Sequence, residues 1–371
     1  MMNILKFIPL LLLIILLFCQ KTTTEKTSTV HLRGLADTVG FAHTALQMDS
    51  VMERINRRDG KERRNIFQIQ DVDQNTAWQM VVCPHDDYSY AGMLYPYVLK
   101  NLNASNVIIF GVAHRAKDFN IANQIVFDNF SEWRGPYGNI PVSPLRGEII
   151  AQLPQDSYII SDSLQEVEHS VEALLPFIQY YNRPVNIVSI LVPYMNFDRM
   201  NEIAVPLSNA LETVMQNHQL KWGKDIAIAI SNDCVHYGDR DWGGKNYAPF
   251  GADTAGYRSA TNFDMNIISE CLIEQLDPQR IHRFFEYTVA KDDYTKYSWT
   301  WCGRYSIPFG LLTGYYLNKD VSRKALYGTM LRYRTSISQE PIPVQDLGMG
   351  VTAPANIHHW VGYVAIGYRL Q

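Results

Sequence analysis

Three short apolar runs in this chain each lead into a histidine. Met80-Val81-Val82-Cys83 passes through Pro84 to His85, Asn106 to Val112 passes through Ala113 to His114, and Asp225 to Ile230 leads through Ser231-Asn232-Asp233-Cys234-Val235 to His236. Imidazole is a common transition-metal ligand and the side chain best suited to exchanging a proton near neutral pH. One such histidine among the ten in the chain would carry little weight. Three in the same structural position converge if their strands lie parallel in one sheet. The carboxyl ends of parallel strands share an edge, and α/β proteins build their sites there.

The elements needed to position them follow from the apolar spacing. Runs of four to eight β-branched residues bounded by proline or polar clusters predict buried strands. Helical spacing predicts helices between them: Met48, Val51, Met52 and Ile55 within 45–56, then 94–102 with Pro96 in its first turn, and 200–216. Further strands are expected at 124–127, 185–192 and 360–367, and further helices at 264–275, at 278–290 and from Trp299-Thr300-Trp301-Cys302-Gly303-Arg304 through Leu317. Strand, helix, strand is the pattern of a parallel crossover unit. The fold class expected is α/β: a single domain with a central, mostly parallel sheet flanked by helices. Residues 163–181 read as one helix carrying Glu166, Glu168, His169 and Glu172, either a solvated acidic face or a wall of the site. The long aromatic loop 237–257 suits a cover over strand ends.

The N-terminus has a different grammar. Lys6 precedes an apolar run from Phe7 to Phe18 that ends at Cys19, and a polar stretch from Gln20 to Thr29 follows. The run falls short of the roughly 20 residues that cross a bilayer as a helix, so it reads as an export signal over 1–19. Cys19 is the expected lipidation point of a bacterial lipoprotein, and an uncleaved anchor or an ordinary cleaved signal are the alternatives. Each places the folded part outside the cytoplasm, and a lipid or an anchor would attach it to membrane only through this end, with a flexible tether over 20–39 and the folded domain over 40–371. Charged residues make up 19% of the chain and the net charge is −4, with no long basic run, which excludes a general nucleic-acid-binding surface.

Taken in order, Pro84-His85-Asp86-Asp87-Tyr88-Ser89-Tyr90-Ala91-Gly92, Gly111-Val112-Ala113-His114, Glu168-His169-Ser170-Val171-Glu172, Ser231-Asn232-Asp233-Cys234-Val235-His236-Tyr237-Gly238 and Trp301-Cys302-Gly303-Arg304 resemble the Memo family. That family includes the bacterial AmmeMemoRadiSam system protein B and is similar in fold to class III extradiol dioxygenases. The resemblance implies a metal pocket of His85, His114 and Cys302 holding iron or copper, with zinc as a further option. It implies His236 as acid or base, supported by Asp233. Tyr88, Tyr90, His169 and Tyr237 are expected to line the pocket around a small phenolic ligand or a peptide. Two functions remain open: a metal-dependent redox enzyme, and a non-catalytic binding protein on the same fold.

This sequence departs from the family pattern in two places. Asp86-Asp87 replaces a small Ala-Gly pair, offering either an oxygen ligand or a solvated acidic pair, and Val112-Ala113 replaces Pro-Ser. Cys302 stands where the dioxygenases have a carboxylate, and in an oxidising compartment it has the alternative of a disulfide with Cys83 or Cys234.

Overall fold

A computed structural model describes residues 30–73 and 75–371. The expected export signal, Cys19 and most of the expected tether lie outside those residues. Among the described residues no helix is long and apolar enough to cross a membrane.

Among the described residues the main sheet has ten strands, nine of them in one continuous path: β1 (Met80–Cys83), β2 (Asn106–Val112), β3 (Ile125–Phe127), β4 (Tyr158–Ile160), β5 (Asn186–Val192), β6 (Ile226–Ser231), β7 (Glu274–Gln275), β8 (Leu326–Thr335) and β9 (Trp360–Leu370). Their spatial order is β7-β8-β9-β1-β6-β2-β5-β3-β4. The centre, β1-β6-β2-β5, is parallel, and the three strands that lead to histidines are neighbours in it. Antiparallel β9 and β8 continue the sheet on one side, and β3 runs antiparallel to β5 on the other. The two-residue strand His236–Tyr237 pairs with the start of β9.

Side chains alternate faces along a strand, so each central strand feeds two cores. Met80, Val82, Ile108, Phe110, Ile228 and Ile230 pack on one face in the core shared with helices α4 (Leu145–Ile150), α7 (Phe197–Asn217), α9 (Pro278–Thr288) and α10 (Ser306–Val321). Val81, Cys83, Val107, Ile109, Ala227 and Ala229 pack on the other, against helices α1 (Ala45–Ile69), α2 (Tyr88–Ala91), α3 (Tyr95–Leu99) and α6 (Leu175–Tyr181). Burial on both faces explains why these strands read as continuous apolar runs.

Several boundaries differ from the sequence reading. Helix α1 continues to Ile69 because Phe67 and the aliphatic part of Arg63 extend its buried stripe past the expected end at 56. The flexible tether expected over 20–39 is shorter at its described end. Leu32 and Arg33 pair with Glu132 and Trp133, and Arg33 is fully buried in an ion pair with Glu172. The single helix expected over 163–181 is two, α5 (Asp162–Glu166) and α6, separated by an irregular segment and a 3-10 turn. Buried Glu168 and Glu172 hold that break open by accepting backbone N–H groups, which rules out the solvated acidic face.

Candidate metal centre

Pro84 ends β1 and delivers His85 to the shared carboxyl edge, where it is buried. Its Nδ1 lies 2.7 Å from Ser231 Oγ, at the end of the adjacent β6. The Ser231 hydroxyl donates its proton to the Ser170 carbonyl at 2.6 Å. Ser231 Oγ must therefore accept from His85, which fixes the imidazole proton on Nδ1 and leaves the Nε2 lone pair facing the site. That Nε2 is 3.3 Å from Cys302 Sγ and 3.5 Å from Asp233 Oδ2.

His114 follows β2 and is half-buried. Its Nδ1 lies 2.9 Å from Glu168 Oε1, and its backbone N–H donates to Glu168 Oε2 at 2.8 Å. Burial alone would raise the Glu168 pKa, but His114, His169 and the Ser170 N–H overcome it and hold the carboxyl down at about 2. An ionised Glu168 can only accept, so His114 donates through Nδ1 and also presents Nε2. His169 stacks on His114 with ring centroids 4.8 Å apart and an interplanar angle of 10°. The His85 ring stands 5.3 Å from His114 and 5.6 Å from His169, nearly perpendicular to both.

Two groups of three can each bring ligand atoms within 4.8 Å of one another: His85, His114 and His169, and His85, Asp233 and Cys302. They share His85. Among the described residues no one group joins His85, His114 and Cys302, so the expected ligand set is divided between two overlapping sets. The 3.3 Å between His85 Nε2 and Cys302 Sγ suits adjacent ligands of one ion, since bonds of roughly 2.0 Å and 2.3 Å at a tetrahedral angle put such atoms about 3.5 Å apart.

Electrostatics favour the metal-ready forms of the imidazoles. Burial, followed by the charges of neighbouring imidazoles, depresses His85 strongly and His169 as well, so both are neutral at pH 7. Burial and the nearby Asp233 push the Cys302 thiol well above its usual range, and a metal would have to displace its proton. Gly303 allows this geometry. A Cβ there would meet Asn232 Oδ1 at 2.1 Å, where the Gly303 N–H donates to the same oxygen at 3.1 Å. The four cysteines at 83, 234, 271 and 302 are free and buried.

Asp233 does not touch His236 as expected. Its Oδ1 accepts the His85 N–H at 3.0 Å, and its own N–H donates to Cys302 Sγ at 3.1 Å, so it supports the ligands. The His236 ring is instead stacked on Trp242, with centroids 5.4 Å apart. Its Nε2 is buried with no hydrogen-bond partner among the described residues. Burial, helped by His114, His359, His169 and Arg304, lowers its pKa to about 3.

The expected tyrosine lining is also corrected. Tyr88, Tyr90 and Tyr237 are buried, and their hydroxyls donate to the carbonyls of Ala173, Ala353 and Gly251 at 2.7, 3.0 and 3.0 Å. Large amphipathic rings at the start of a short helix and a short strand were drawn into the core, where each phenol needs a partner. His169 does line the cavity beside His85, a space of about 220 Å³ bounded also by Phe41, Asp37, Asp86, Asp87 and Thr352. Asp86 and Asp87 are not a solvated pair. Tyr363 donates to Asp86 at 2.5 Å, and the Thr352 N–H donates to Asp87 at 2.6 Å. Burial and the Asp86 charge raise Asp87 to about 7. A larger groove of about 570 Å³ includes Lys221 and Trp222, just before β6, and so lies at the opposite edge of the sheet.

Sequence gives Ser231 no site role and offers Glu168 only as part of a wall of the site. Each lies beside a recognised residue, one two positions before Asp233 and the other immediately before His169. Only their contacts reveal that they set imidazole tautomers.

The family described as Memo-like protein matches residues 52–346. The chain is 31% identical over 163 residues to a MEMO1 family protein of Saccharolobus islandicus, covering 42% of this chain and 52% of the relative. A MEMO1 family protein of Thermotoga petrophila is 29% identical over 164 residues, covering 43% and 54% respectively. The chain thus spans about half the length of the curated relatives it matches. With the family match running from α1 past β8 and enclosing every residue of both ligand groups, this chain belongs to the Memo-like family.

Proposed function

We propose that this protein binds iron or copper at the carboxyl edge of β1, β6 and β2, and that it is a metal-dependent oxidoreductase acting on a small phenolic ligand. The observation that carries the metal reading is the set His85, His114 and His169, with ligand nitrogens within 4.8 Å and imidazoles oriented by Ser231 and Glu168. Cys302 and Asp233 offer a thiolate and a carboxylate on the other side of His85. A bound iron or copper would supply redox chemistry and polarise a ligand oxygen, whereas zinc would supply polarisation alone.

The chain's own groups do the rest. Glu168 holds His114 in one tautomer, and the Ser170-Ser231 relay does the same for His85. His236, neutral at pH 7, has an Nε2 with no hydrogen-bond partner among the described residues, available to receive a proton from a substrate hydroxyl. A negative charge arriving beside it raises its basicity from the depressed value of the free site. Trp242 covers one face of the ring and limits water there. The apolar run before Cys19 further supports export and attachment through the N-terminus.

Metal analysis of anaerobically purified protein tests the first part. Wild type should carry roughly one iron or copper ion per chain, and His85→Ala should carry none, because His85 belongs to both ligand groups. Glu168→Gln should weaken binding about 10- to 100-fold in a chelator competition. Comparing His169→Ala with Cys302→Ser identifies which group dominates. A wild-type protein that takes up no metal after reconstitution under reducing conditions would sink the reading. Oxygen uptake with catechol, lost in His236→Ala, is expected of the enzyme, and its absence from metal-loaded wild type leaves a binding protein.

A further inference from the structure

The candidate centre leaves one buried cation unused. Arg304 lies two residues beyond Cys302, is 8% exposed, and donates its backbone N–H to the Trp301 carbonyl at 3.3 Å. Its guanidinium carbon is 3.5 Å from the centroid of the Tyr297 ring and 4.5 Å from that of Tyr305. The guanidinium makes a long 3.5 Å contact from Nη2 to the Thr295 carbonyl and also interacts with the Tyr297 and Tyr305 hydroxyls, while Nε is buried without a partner among the described residues. Other buried arginines have carboxylates beside them: Arg33 pairs with Glu172, and Arg63 lies 3.9 Å from Asp59. Arg304 has none within ion-pair distance among the described residues. A buried charge without a counter-charge is costly to fold around, so this one points to a partner that arrives later.

The surroundings suggest what that partner is. From His236 an arc of rings leads toward Arg304. Trp242 stacks on His236, Tyr247 meets Trp242 at 5.9 Å and Tyr297 at 6.4 Å, and Tyr297 carries the guanidinium. Two members of the arc, Trp242 and Tyr247, come from the long loop after β6. Tyr297 is partly exposed, so the arc opens to solvent at the arginine end.

We propose that Arg304 anchors the carboxylate of an aromatic acid whose ring lies along this arc and points its far edge toward His236. A planar guanidinium fork matches a carboxylate in two parallel hydrogen bonds, and stacking between tyrosines fixes the fork before the ligand arrives. A flat ring is the shape that aromatic side chains recognise best. This inference narrows the substrate class of the centre and rests on that reading for the reaction, but carboxylate capture itself does not require a metal.

Benzoate is the probe, titrated calorimetrically into the full chain with and without bound metal. Benzoate should bind both forms of the wild type, more tightly than benzyl alcohol or benzylamine. Arg304→Gln should weaken benzoate binding about tenfold or more, while metal content stays unchanged and the melting temperature does not fall. Equal affinity in wild type and variant, or no benzoate binding to either form, overturns the proposal. So does a preference for benzylamine, which would assign ligand choice to Asp37, Asp86 and Asp87. If Arg304→Gln does not fold, the Arg304 side-chain nitrogen resonances of the wild type decide the matter. They should shift as benzoate saturates, and resonances that stay in place overturn the assignment. Metal content is read separately, so failure of the metal reading leaves a distinct signature.

Discussion

At the scale of single residues, the protein's chemistry depends on imidazoles kept neutral at chosen atoms. His236 shows the cost of doing this by burial. Its pKa falls from 6.5 to about 3 on folding, so between those values the unfolded chain binds a proton that the folded chain does not. The linkage sign follows: His236 contributes stability that is fully present above pH 6.5 and is lost as pH falls toward 3. One proton corresponds to a slope of at most about 1.4 kcal/mol per pH unit. Buried His85, also depressed, adds a slope of the same sign, whereas solvent screening leaves little from the partly exposed His169. Urea unfolding of metal-free protein at pH 6.5, 5.5 and 4.5 should therefore show a steep loss of stability, and His236→Gln should make it shallower by up to one proton. An unchanged slope would mean that the imidazole is solvated and poorly placed to wait for a substrate proton.

At the scale of elements, the centre is held by two segments tied to one buried carboxylate. The stretch Asp233 to His236 and the stretch Trp299 to Cys302 meet at an antiparallel bridge between Val235 and Trp301, reinforced by His236 N–H to Thr300 O at 3.1 Å. Asp264, near the end of helix α8 (Thr254–Ile267), lies under both. Its Oδ1 accepts the Trp299 and Trp301 indole N–H groups at 2.8 and 2.6 Å, and its Oδ2 accepts the Tyr333 hydroxyl at 2.8 Å. Burial raises this carboxyl to about 6 despite those donors. Asp264→Asn replaces one acceptor oxygen with an amide donor and sets it against an indole or a phenol. The expected cost is roughly 2 kcal/mol in urea unfolding, with weaker metal retention because Cys302 shifts. A variant of wild-type stability and metal content would show that the bridge alone positions Cys302. From sequence, Asp264 read only as a polar position in a helical pattern. Its importance comes from four donors, the Val235 N–H at 3.4 Å among them, contributed by segments up to 69 residues away.

At the scale of the whole molecule, the last strand is an interior member of the sheet. Strand β9 lies between β8 and β1, and its residues Trp360 to Tyr368 are buried. It also pairs with His236 and Tyr237, and its Tyr363 hydroxyl reaches Asp86, next to His85. A chain ending before Trp360 would expose β1 as an open edge beneath the centre. Such a truncation should fail to fold cooperatively, read as loss of the near-ultraviolet circular dichroism signal and rapid proteolysis. A protease-resistant core in the truncated chain would show instead that β1, β6, β2 and β5 with their helices stand alone.

Much of this design is legible in the residues themselves. The apolar runs before His85, His114 and His236 needed no tertiary information to read as parallel interior strands, because burial on both faces demands continuous apolar sequence. The ordered motifs around them were enough to identify the family. Tertiary structure decided what a one-dimensional pattern cannot carry. It divided the expected His85-His114-Cys302 set between two groups, and it turned Asp233 toward His85 and away from His236. It also folded Tyr88, Tyr90 and Tyr237 into the core. Strand patterns depend on period and hydrophobicity, which are local. Ligand grouping, tautomer and the lack of a carboxylate beside Arg304 among the described residues depend on distances of a few ångströms between segments far apart in the chain, and those exist only once the chain has closed on itself.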